Sequence, residues 1–329
     1  MTALNHAKGV AAATLLAIGL APVSASALEL RGWNIHVEDY PVSIAMESFL
    51  AEVEEKTGGE ISGKVYHNGV LGSQPDAIEQ MRLGVIDFGE FNLGPMGQAV
   101  PEANVTALPF IFKSVPQMYA LMDGAAGEAI GEGMKAKGIV PLGWYAAGAR
   151  SFYNSVRPIN TPADVEGLKV RVMSNDLFVK MVEAMDGNAT PMAFAEVYQS
   201  IKTGVVDGAE NNPPSYESTN HYEVAQYYSL TEHLIIPECL CMSLKTWEKL
   251  TPEQQEIVMA AGRASAGMQR ELWAEREAAS METVEAGGVT VNTVADKAPF
   301  QDAMTPVYDA FLEDNPDLAD LVSLIRDAD

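Results

Sequence analysis

Basic residues are scarce relative to acidic ones in this chain of 329 residues. Lysine and arginine together number 21, against 45 aspartate and glutamate residues, which gives a formal net charge of −24. A surface of this sign repels nucleic acid and anionic lipid headgroups, so neither is expected as a partner. If the protein binds an anion, its site must create positive potential locally, against the field of the whole molecule.

Long hydrophobic runs are also few. The first 27 residues combine Lys8 at a weakly basic start, an apolar run at 10–20 and the small residues Ala25–Ala27, which is the pattern of a cleaved signal peptide. The run is shorter than the roughly 20 apolar residues of a transmembrane helix, and no later segment approaches that length. The sequence therefore predicts a signal peptide at 1–27, a mature chain from Leu28, and export.

Cysteine is nearly absent, with Cys239 and Cys241 lying in the apolar run 235–244. Residues two apart in a strand point to the same face, and a disulfide between such close neighbours is normally strained. The sequence favours two small buried residues over a redox pair. An exported compartment permits oxidation, so their state stays open.

Motifs for catalysis are missing as well. The chain has no GxSxG elbow, P-loop or dinucleotide fingerprint, and no cofactor or metal is expected. The segment HVED places His36 near Glu38 and Asp39, but it follows a strand pattern, where a polar loop is expected anyway. A metal site needs three converging ligands, so this cluster is weak evidence. An exported hydrolase or lyase using these residues is the less favoured alternative.

The chain does contain an internal repeat. Residues 84–90 read GVIDFGE and residues 204–210 read GVVDGAE. Each phrase follows a helical pattern and leads from a glycine suited to a helix end into a short strand. Strand patterns lie upstream, in ISGKVYH from Ile61 and GLKVRVM from Gly167, so both halves are predicted as strand, helix, glycine, strand. Two similar α/β lobes create a cleft, where small molecules usually bind.

A long helix is predicted after Leu250. Thr251, Pro252 and Gln254 supply an N-cap, a proline at the first helical position and a capping box, and the glycines at 287–288 supply an end. About 35 residues at 1.5 Å each span roughly 50 Å, enough to cross both lobes. Glycines at 262 and 267 are where a bend would interrupt it. The predicted apolar face comprises Ile257, Ala261, Ala264, Met268 and Leu272.

Arginine is scarce enough for each position to be informative. Arg171 lies inside the strand pattern 168–173, on the face opposite to two valines. A buried guanidinium needs an anionic partner, which is either an internal carboxylate or a ligand. The carboxyl ends of strands in α/β sheets favour the ligand. Arg150 opens another strand, and Asn211 follows the second repeat phrase, where its amide can donate and accept.

The run RSFYNSVRPINTPADVEGLKVRVM from Arg150, with TPMAFAEVYQSIKTGVVDGAENNP after it, resembles the solute-binding proteins of TRAP transporters, the DctP-type family. LGSQPDAIEQMRLGVIDF, LPFIF and WEKLTPEQQ follow the family's order, so the resemblance covers essentially the whole mature chain. It implies an α/β, two-lobed periplasmic binding protein fold with a central ligand cleft and a long helix spanning both lobes. It also implies a non-enzymatic receptor that delivers an organic acid to the integral membrane subunits of a TRAP transporter.

The resemblance assigns roles inside the cleft. In that family the strand arginine of GLKxRV, here Arg171, clamps the substrate carboxylate, and a planar guanidinium can do so with two parallel bonds. By the same correspondence Arg150 is a second cationic contact and Asn211 an amide contact. Phe194 in PMAFAEVY is a hydrophobic wall, for which ordinary core packing is an equal alternative.

The opposite lobe must contact and recognise the part of the ligand beyond its carboxylate. Its cleft-facing loops carry no cation but many hydrogen-bond acceptors, which suit hydroxyl groups and repel a second carboxylate. Some of the following are expected to touch the ligand: His36, Glu38, Tyr40, Gln74, Glu90 and Asn92. The opening HVEDYP also resembles the receptors of this type that take sugar acids. A uronate or aldonate is therefore predicted, with a C4-dicarboxylate or other carboxylate, or an ABC-type receptor, as alternatives.

The chain is expected to cross between the lobes near 147–150 and 236–239, with the long helix as a third connection. Lobe I then comprises 28–148 and 237–275, and lobe II comprises 149–236 and 276–329. The protein is expected to be a periplasmic monomer whose partners are the ligand and the membrane subunits.

Overall fold

The computed structural model describes residues 27–328, so the predicted leader at 1–27 lies outside the described residues except for Ala27. The strands are β1 Leu28–Trp33, β2 Ile61–Tyr66, β3 Phe88–Asn92, β4 Ile139–Asn154, β5 Lys169–Val172, β6 Asn188–Pro191, β7 Gly208–Asn211, β8 Tyr227–Ser243 and β9 Thr290–Thr293. The helices are α1 Pro41–Lys56, α2 Gln74–Leu83, α3 Leu93–Met96, α4 Val115–Met122, α5 Ala125–Ala136, α6 Asp176–Glu183, α7 Val197–Lys202, α8 Pro213–Ser218, α9 Leu244–Trp247, α10 Pro252–Ala286, α11 Ala298–Ala303, α12 Thr305–Asp314 and α13 Ala319–Arg326. None of these helices is both long and apolar enough to cross a membrane.

The strands form one sheet with two similar halves. Its order is β2-β1-β3-β8-β4-β7-β5-β6, with β9 added to β8. The three strands of each outer group are parallel to one another, whereas β4 and β8 are long and pair antiparallel in the middle. The outer groups β2-β1-β3 and β7-β5-β6 are therefore the strand frameworks of the two lobes, joined by β4 and β8. This arrangement confirms the predicted two-lobed α/β fold.

The two repeat phrases have the same local structure. Gly84 and Gly204 both have a left-handed backbone, with φ of 76° and 74°. The aspartates that follow, Asp87 and Asp207, each accept a 2.8 Å hydrogen bond from the backbone N–H of a basic residue on the neighbouring strand, Arg31 in β1 and Lys169 in β5. The repeat is therefore structural, and it locks each third strand to the first strand of its own half.

This correspondence corrects one prediction. The strand GLKVRVM is β5, and its counterpart in the first half is β1 rather than ISGKVYH, which is β2. Between β5 and the second repeat phrase the chain inserts α6, β6 and α7, so both halves read strand, helix, strand, helix, strand. β6 was missed because its four residues, Asn188–Pro191, are exposed to intermediate in burial and carry little apolar pattern.

The long helix is α10, and it begins and ends as predicted. Thr251 and Gln254 form the capping box, and the helix continues through the glycines at 262 and 267 to Ala286 without a break. The predicted apolar face is wrong, since Ala264 and Met268 are exposed. The buried positions include polar and small residues, namely Val258, Ala261, Gly262, Ser265, Ala266, Gln269, Trp273, Ser280 and Val284. This face of the helix packs against the backbone of β4, which forms hydrogen bonds with polar side chains of the helix. The periodicity of apolar residues alone does not predict a buried face that is partly polar.

Gln269 explains this polar face. Its side chain accepts from the backbone N–H of Ala146 at 2.9 Å and donates to the carbonyl of the same residue at 2.8 Å. The pairing of β4 with β8 is irregular between Ala146 and Ala149, where Gly148 has φ of 60°. The amide of Gln269 therefore replaces a strand partner at a bulge in β4. This bulge lies in the segment where the chain was predicted to cross between lobes, although the lobe boundaries themselves stay a prediction.

Cys239 and Cys241 are fully buried in β8 and are joined by a disulfide. Burial was predicted, and the redox state, which the sequence left open, is a disulfide in the structure. Their Cα atoms lie 5.5 Å apart, within the ordinary range for a disulfide, so the local strand geometry brings the two sulfurs within bonding reach.

The bulge generates a stability prediction. In Gly148→Ala the new Cβ would lie 2.6 Å from Glu277 Oε1 and 2.8 Å from Trp273 Nε1, in addition to the cost of a left-handed backbone. We expect the free energy of unfolding to fall by about 2 kcal/mol or more. Gly204→Ala is the control, because its φ is similar and nothing lies within 4 Å of the added atom. Its loss should stay near 1 kcal/mol. Equal losses in chemical denaturation would contradict the steric role of the bulge.

Candidate ligand-binding site

A cavity of about 90 Å³ lies between the two halves of the sheet. A cavity needs roughly 10 to 15 Å³ to hold one water molecule, so a cavity of this volume can hold one small organic molecule. Residues that follow the carboxyl ends of β1, β3, β5 and β7 contribute to it, as expected for an α/β sheet. Its walls are formed by Ile35, His36, Ser73, Gln74, Pro75, Asn92, Pro95, Arg150, Arg171, Met173, Ser174, Met192, Ala193, Phe194, Asn211, Asn212, Ser215 and Glu238.

Arg171 provides a buried cation without a carboxylate partner in the described part of the chain. Its side chain is 3 % exposed, and its Nε and Nη2 both donate to the carbonyl of Met192, at 3.1 and 2.8 Å. Burial lowers the pKa of the guanidinium to about 10, so it remains charged at neutral pH. Nη1 and the second hydrogen of Nη2 stay available, and these form the end of the fork that can hold a carboxylate.

Arg150 has the opposite status because a buried carboxylate neutralises it. Its Nε and Nη2 donate to the two carboxylate oxygens of Glu210 at 2.6 and 2.9 Å, and Nη1 donates to Asn211 Oδ1 at 2.7 Å. Burial alone would raise the pKa of Glu210, but the charge and hydrogen bonds of Arg150 dominate and lower it to about 2. Asn211 Oδ1 is thus engaged, which leaves its Nδ2 as the group available in the cavity wall.

Phe194 connects the two lobes at the cavity. Its ring is half-buried, lies 5.9 Å from the guanidinium carbon of Arg171, and makes edge contacts with His36 and His221 at 6.1 and 5.9 Å between centroids. His36 stacks on Tyr40 at 3.9 Å. Burial, and secondarily the charge of Arg150, lowers the pKa of His36 to about 3, so the imidazole is neutral.

The wall opposite the arginines is made of amides and a carboxyl group. Gln74 Nε2 donates to the carbonyl of Asn92 at 2.8 Å. Asn92 Oδ1 accepts from the N–H of Gly94 at 3.0 Å, which turns its Nδ2 toward Glu238 Oε1 at 3.4 Å. Glu238 is 5 % exposed and forms part of the wall.

Glu90 lies behind this wall and forms a carboxyl pair with Glu238. Glu90 lies two residues from Asn92, which is opposite Glu238 in the pairing of β3 with β8, so the two glutamates are diagonal neighbours on one face of the sheet. Burial, followed by the neighbouring charge of Glu238, raises the pKa of Glu90 well above its ordinary value. Burial also raises the pKa of Glu238 to about 7, against the opposing bonds from Asn92 and Glu90 and the charge of Arg150. Of the two groups, Glu90 is the more deeply buried, and its environment favours the protonated form.

The structure places the predicted site residues in three positions. Those in the cavity wall are Arg171, Arg150, Asn211, Phe194, His36, Gln74 and Asn92. Tyr40 and Glu90 are buried behind the wall, and Tyr40 reaches across the cleft to bring its hydroxyl 3.0 Å from Ser215 Oγ. Glu38 is exposed and lies outside the wall, because its loop turns outward before α1.

Sequence reasoning missed Glu238 and the hydroxyl of Ser215. Glu238 had a signal, since it is the one charged residue in an apolar stretch of β8, and a buried acid in such a stretch has a specific partner or function. The exposure of Glu38 and Asp39 also separates them from the neutral ring of His36, so the residues proposed for a hydrolase or lyase do not converge. Among residues 27–328, no group of three or more His, Cys, Asp or Glu side chains is placed to bind a metal ion.

Comparison with known proteins gives consistent matches. The family model DctP, bacterial extracellular solute-binding protein, family 7, matches residues 34–315. A solute-binding protein of Chromohalobacter salexigens is 54% identical over 328 residues, covering 99% of this chain and 98% of that protein.

Two solved structures are similar over nearly the whole chain. A TRAP periplasmic solute-binding protein from Sulfitobacter sp. NAS-14.1, with bound β-D-galacturonate, is 72% identical with a TM-score of 0.90, covering 91% of this chain and 100% of that one. The corresponding protein from Roseobacter denitrificans, with bound β-D-glucuronate, is 60% identical with a TM-score of 0.91, covering 92% and 100%.

The carboxyl pair predicts an unusual pH dependence of stability. A carboxyl group whose pKa is raised from 4.5 to about 7 binds a proton in the folded protein that the unfolded chain has released, so stability falls as the pH rises through this window. The raised pKa of Glu90 adds to this loss of stability as the pH increases. We expect Glu90→Gln to be more stable than wild type at pH 8 and to have a shallower pH profile, because a glutamine amide donates to Glu238 without a titrating proton.

Thermal unfolding of the ligand-free proteins between pH 5 and 8 measures this difference. Glu38→Gln is the control, because it makes the same substitution at an exposed site. Parallel profiles for wild type and Glu90→Gln would show that the pair does not hold the extra proton.

Proposed function

Since this chain belongs to family 7 of the bacterial extracellular solute-binding proteins, the DctP family, we propose that it is a TRAP-type receptor for uronates such as galacturonate and glucuronate. Members of this family are receptors rather than enzymes. The observation that carries the ligand assignment is the buried, uncompensated guanidinium of Arg171 in the wall of a small cavity. The uronates bound to the relatives from Sulfitobacter and Roseobacter denitrificans support the same class.

The ligand carboxylate is proposed to lie against Arg171. The bond of Nε to Met192 fixes the guanidinium plane, and Nη1 with the free hydrogen of Nη2 can make two parallel charge-assisted bonds. The remaining Nη1 hydrogen of Arg150 and the Nδ2 of Asn211 are proposed as further donors. Phe194 supplies an apolar wall on which a sugar ring can pack.

The hydroxyl groups of the ligand are proposed to meet the opposite wall. Two cations, Arg150 in β4 and Arg171 in β5, lie in the cavity wall. Neutral His36, Gln74 and Asn92 face them, and these groups suit hydroxyl partners. The second carboxylate of a C4-dicarboxylate would find no cation there, which favours a sugar acid over that alternative.

Localisation and transport partners are proposed from the family. We propose that the mature protein starts near Leu28, resides as a monomer in the periplasm and delivers its ligand to the integral membrane subunits of a TRAP transporter. The lobes are proposed to comprise 28–148 with 237–275 and 149–236 with 276–329. They would close by bending at the β4 bulge, at β8 and along α10, since such crossings absorb hinge motion.

A ligand panel tests the proposal. Glucuronate and galacturonate should bind more tightly than gluconate, succinate and malate in competition calorimetry and should be recovered unchanged. At about 100 times its dissociation constant the best ligand should add roughly 2.7 kcal/mol to stability. It should also reduce the radius of gyration in solution scattering. Tighter binding of either dicarboxylate than of both uronates would overturn the ligand assignment.

The two arginines should respond differently to substitution. Arg171→Met removes an uncompensated buried charge, so the ligand-free protein should keep or gain stability while uronate affinity falls about 100-fold or more. Arg150→Met leaves Glu210 buried and unpaired, so it should lose about 3 kcal/mol or more. Arg171→Lys keeps the charge without the fork and should bind weakly. Near-wild-type affinity in Arg171→Met, measured by calorimetry, would refute the carboxylate clamp.

A further inference from the structure

We propose that Glu238, held in place by Asn92 and by its diagonal neighbour Glu90, accepts a hydrogen bond from a hydroxyl at the far end of the ligand and excludes acids that carry a second carboxylate there. This inference rests on the proposed function and adds the residue that sets its specificity. Glu90 acts as a positioning residue because it lies behind the cavity wall and reaches the ligand only through Glu238.

The two glutamates lie on one face of neighbouring strands. In the antiparallel pairing of β3 with β8, Asn92 is opposite Glu238 and Glu90 is opposite Leu240. Residues two apart share a face, so Glu90 is the diagonal neighbour of Glu238. Glu238 thereby has two β3 side chains beside it, Asn92 directly opposite and Glu90 diagonally, and Asn92 Nδ2 donates to its Oε1 at 3.4 Å.

Each carboxyl group of the pair has one buried oxygen without a hydrogen-bond partner among the described residues. These oxygens are Glu90 Oε1 and Glu238 Oε2. No lysine or arginine in the described part of the chain forms an ion pair with either group. Two ionised carboxylates in that position would repel each other, which favours the protonated form of one of them. Glu90 is the more buried of the two, so its environment favours that form.

The remaining charged and titratable groups near the pair do not neutralise it. Arg150 on β4 acts on Glu238 only through its charge, because the hydrogen bonds that it makes go to Glu210 and Asn211 and none goes to Glu238. Tyr40, before α1, has its hydroxyl near Ser215, and Tyr145 on β4 donates to Ser265. Tyr119 on α4 is a more distant neighbour. Glu238 is therefore the acceptor that this wall presents to a ligand.

Arg171 and Glu238 are placed to contact opposite ends of one ligand. They stand on β5 and β8, which are separated in the sheet by β7 and β4. Their side chains face the same cavity from its two sides. A uronate offers a carboxylate to one and a ring hydroxyl to the other. A dicarboxylate of the same length would bring its second charge against Glu238.

The pseudo-symmetry of the fold supports this division. Glu90 and Glu210 end the two repeat phrases, and each has a charged residue as its diagonal neighbour on the adjacent long strand. That neighbour is Arg150 for Glu210, since Phe152 is opposite Glu210, and it is Glu238 for Glu90. The same position in the two halves thus carries a cation in one lobe and an acid in the other.

Aldarates provide the test, because glucarate and galactarate differ from glucuronate and galacturonate by a carboxylate in place of the aldehyde carbon. At pH 8, where Glu238 is mostly ionised, wild type should prefer the uronates by about 100-fold or more, since like charges at an interface cost several kcal/mol. Glu238→Gln should reduce this ratio by at least about tenfold. Lowering the pH to 5.5 should reduce the ratio in wild type and leave it unchanged in Glu238→Gln.

Variants at Glu90 distinguish a role in orienting Glu238 from a role in packing alone. Glu90→Gln keeps a donor for Glu238 and should retain the wild-type ratio. Glu90→Leu removes the donor, so the midpoint at which discrimination is lost should move to higher pH. A merely structural role would change stability in both variants without moving this midpoint.

The outcomes distinguish the two proposals. If wild type binds none of the four sugar acids, the proposed function fails, and this inference fails with it. If wild type binds uronates and folded Glu238→Gln keeps the full discrimination, or the ratio does not respond to pH, the role of Glu238 is refuted while the uronate receptor stands.

Discussion

The buried ion pair between Arg150 and Glu210 controls the electrostatics of the site. Two guanidinium groups approach the same small cavity, and without Glu210 both would be unpaired in a region from which water is largely excluded. Because Glu210 engages Arg150 through both carboxylate oxygens, Arg171 is left as the single uncompensated cation. The local positive potential is thus concentrated at one point of the wall, which favours a ligand with one carboxylate.

The same fold uses its internal repeat to make two unlike walls. Glu90 and Glu210 occupy equivalent places, yet the pKa of Glu210 is lowered to about 2 and that of Glu90 is raised well above its ordinary value. Burial acts in the same direction on both groups. The difference comes from the neighbouring long strand, which supplies Arg150 in β4 and Glu238 in β8. A duplicated framework therefore positions the lobes, and one residue on each central strand sets their chemistry.

Local patterns in the sequence were sufficient for the framework and for selecting Arg150 and Arg171, which the structure places in the cavity wall, while their contacts with a ligand stay a prediction. Thr251 and Gln254 cap α10 because capping depends on a few adjacent residues. The repeat phrases are recognisable because the same short pattern places Asp87 and Asp207 to accept matching backbone hydrogen bonds. Local patterns could not show that Tyr40 and Glu90 are buried behind the cavity wall. Their position relative to the cavity depends on residues of other elements that lie between them and the ligand site. The polar face of α10 was missed for a related reason, because Gln269 pairs with a bulge 123 residues away.

The strongly acidic surface does not prevent binding of an anion, because distance and solvent weaken it. A carboxylate 4 Å from Arg171 gains about 4 kcal/mol at an effective dielectric constant of 20. A surface acid 15 Å away acts through water and ions with a screening length of about 8 Å, and it opposes binding by less than about 0.1 kcal/mol. Even with an excess of 24 acidic groups, such terms amount to only about 2 kcal/mol at most. The buried guanidinium therefore determines the local potential, and its burial is the reason that a chain of this charge can hold an acid.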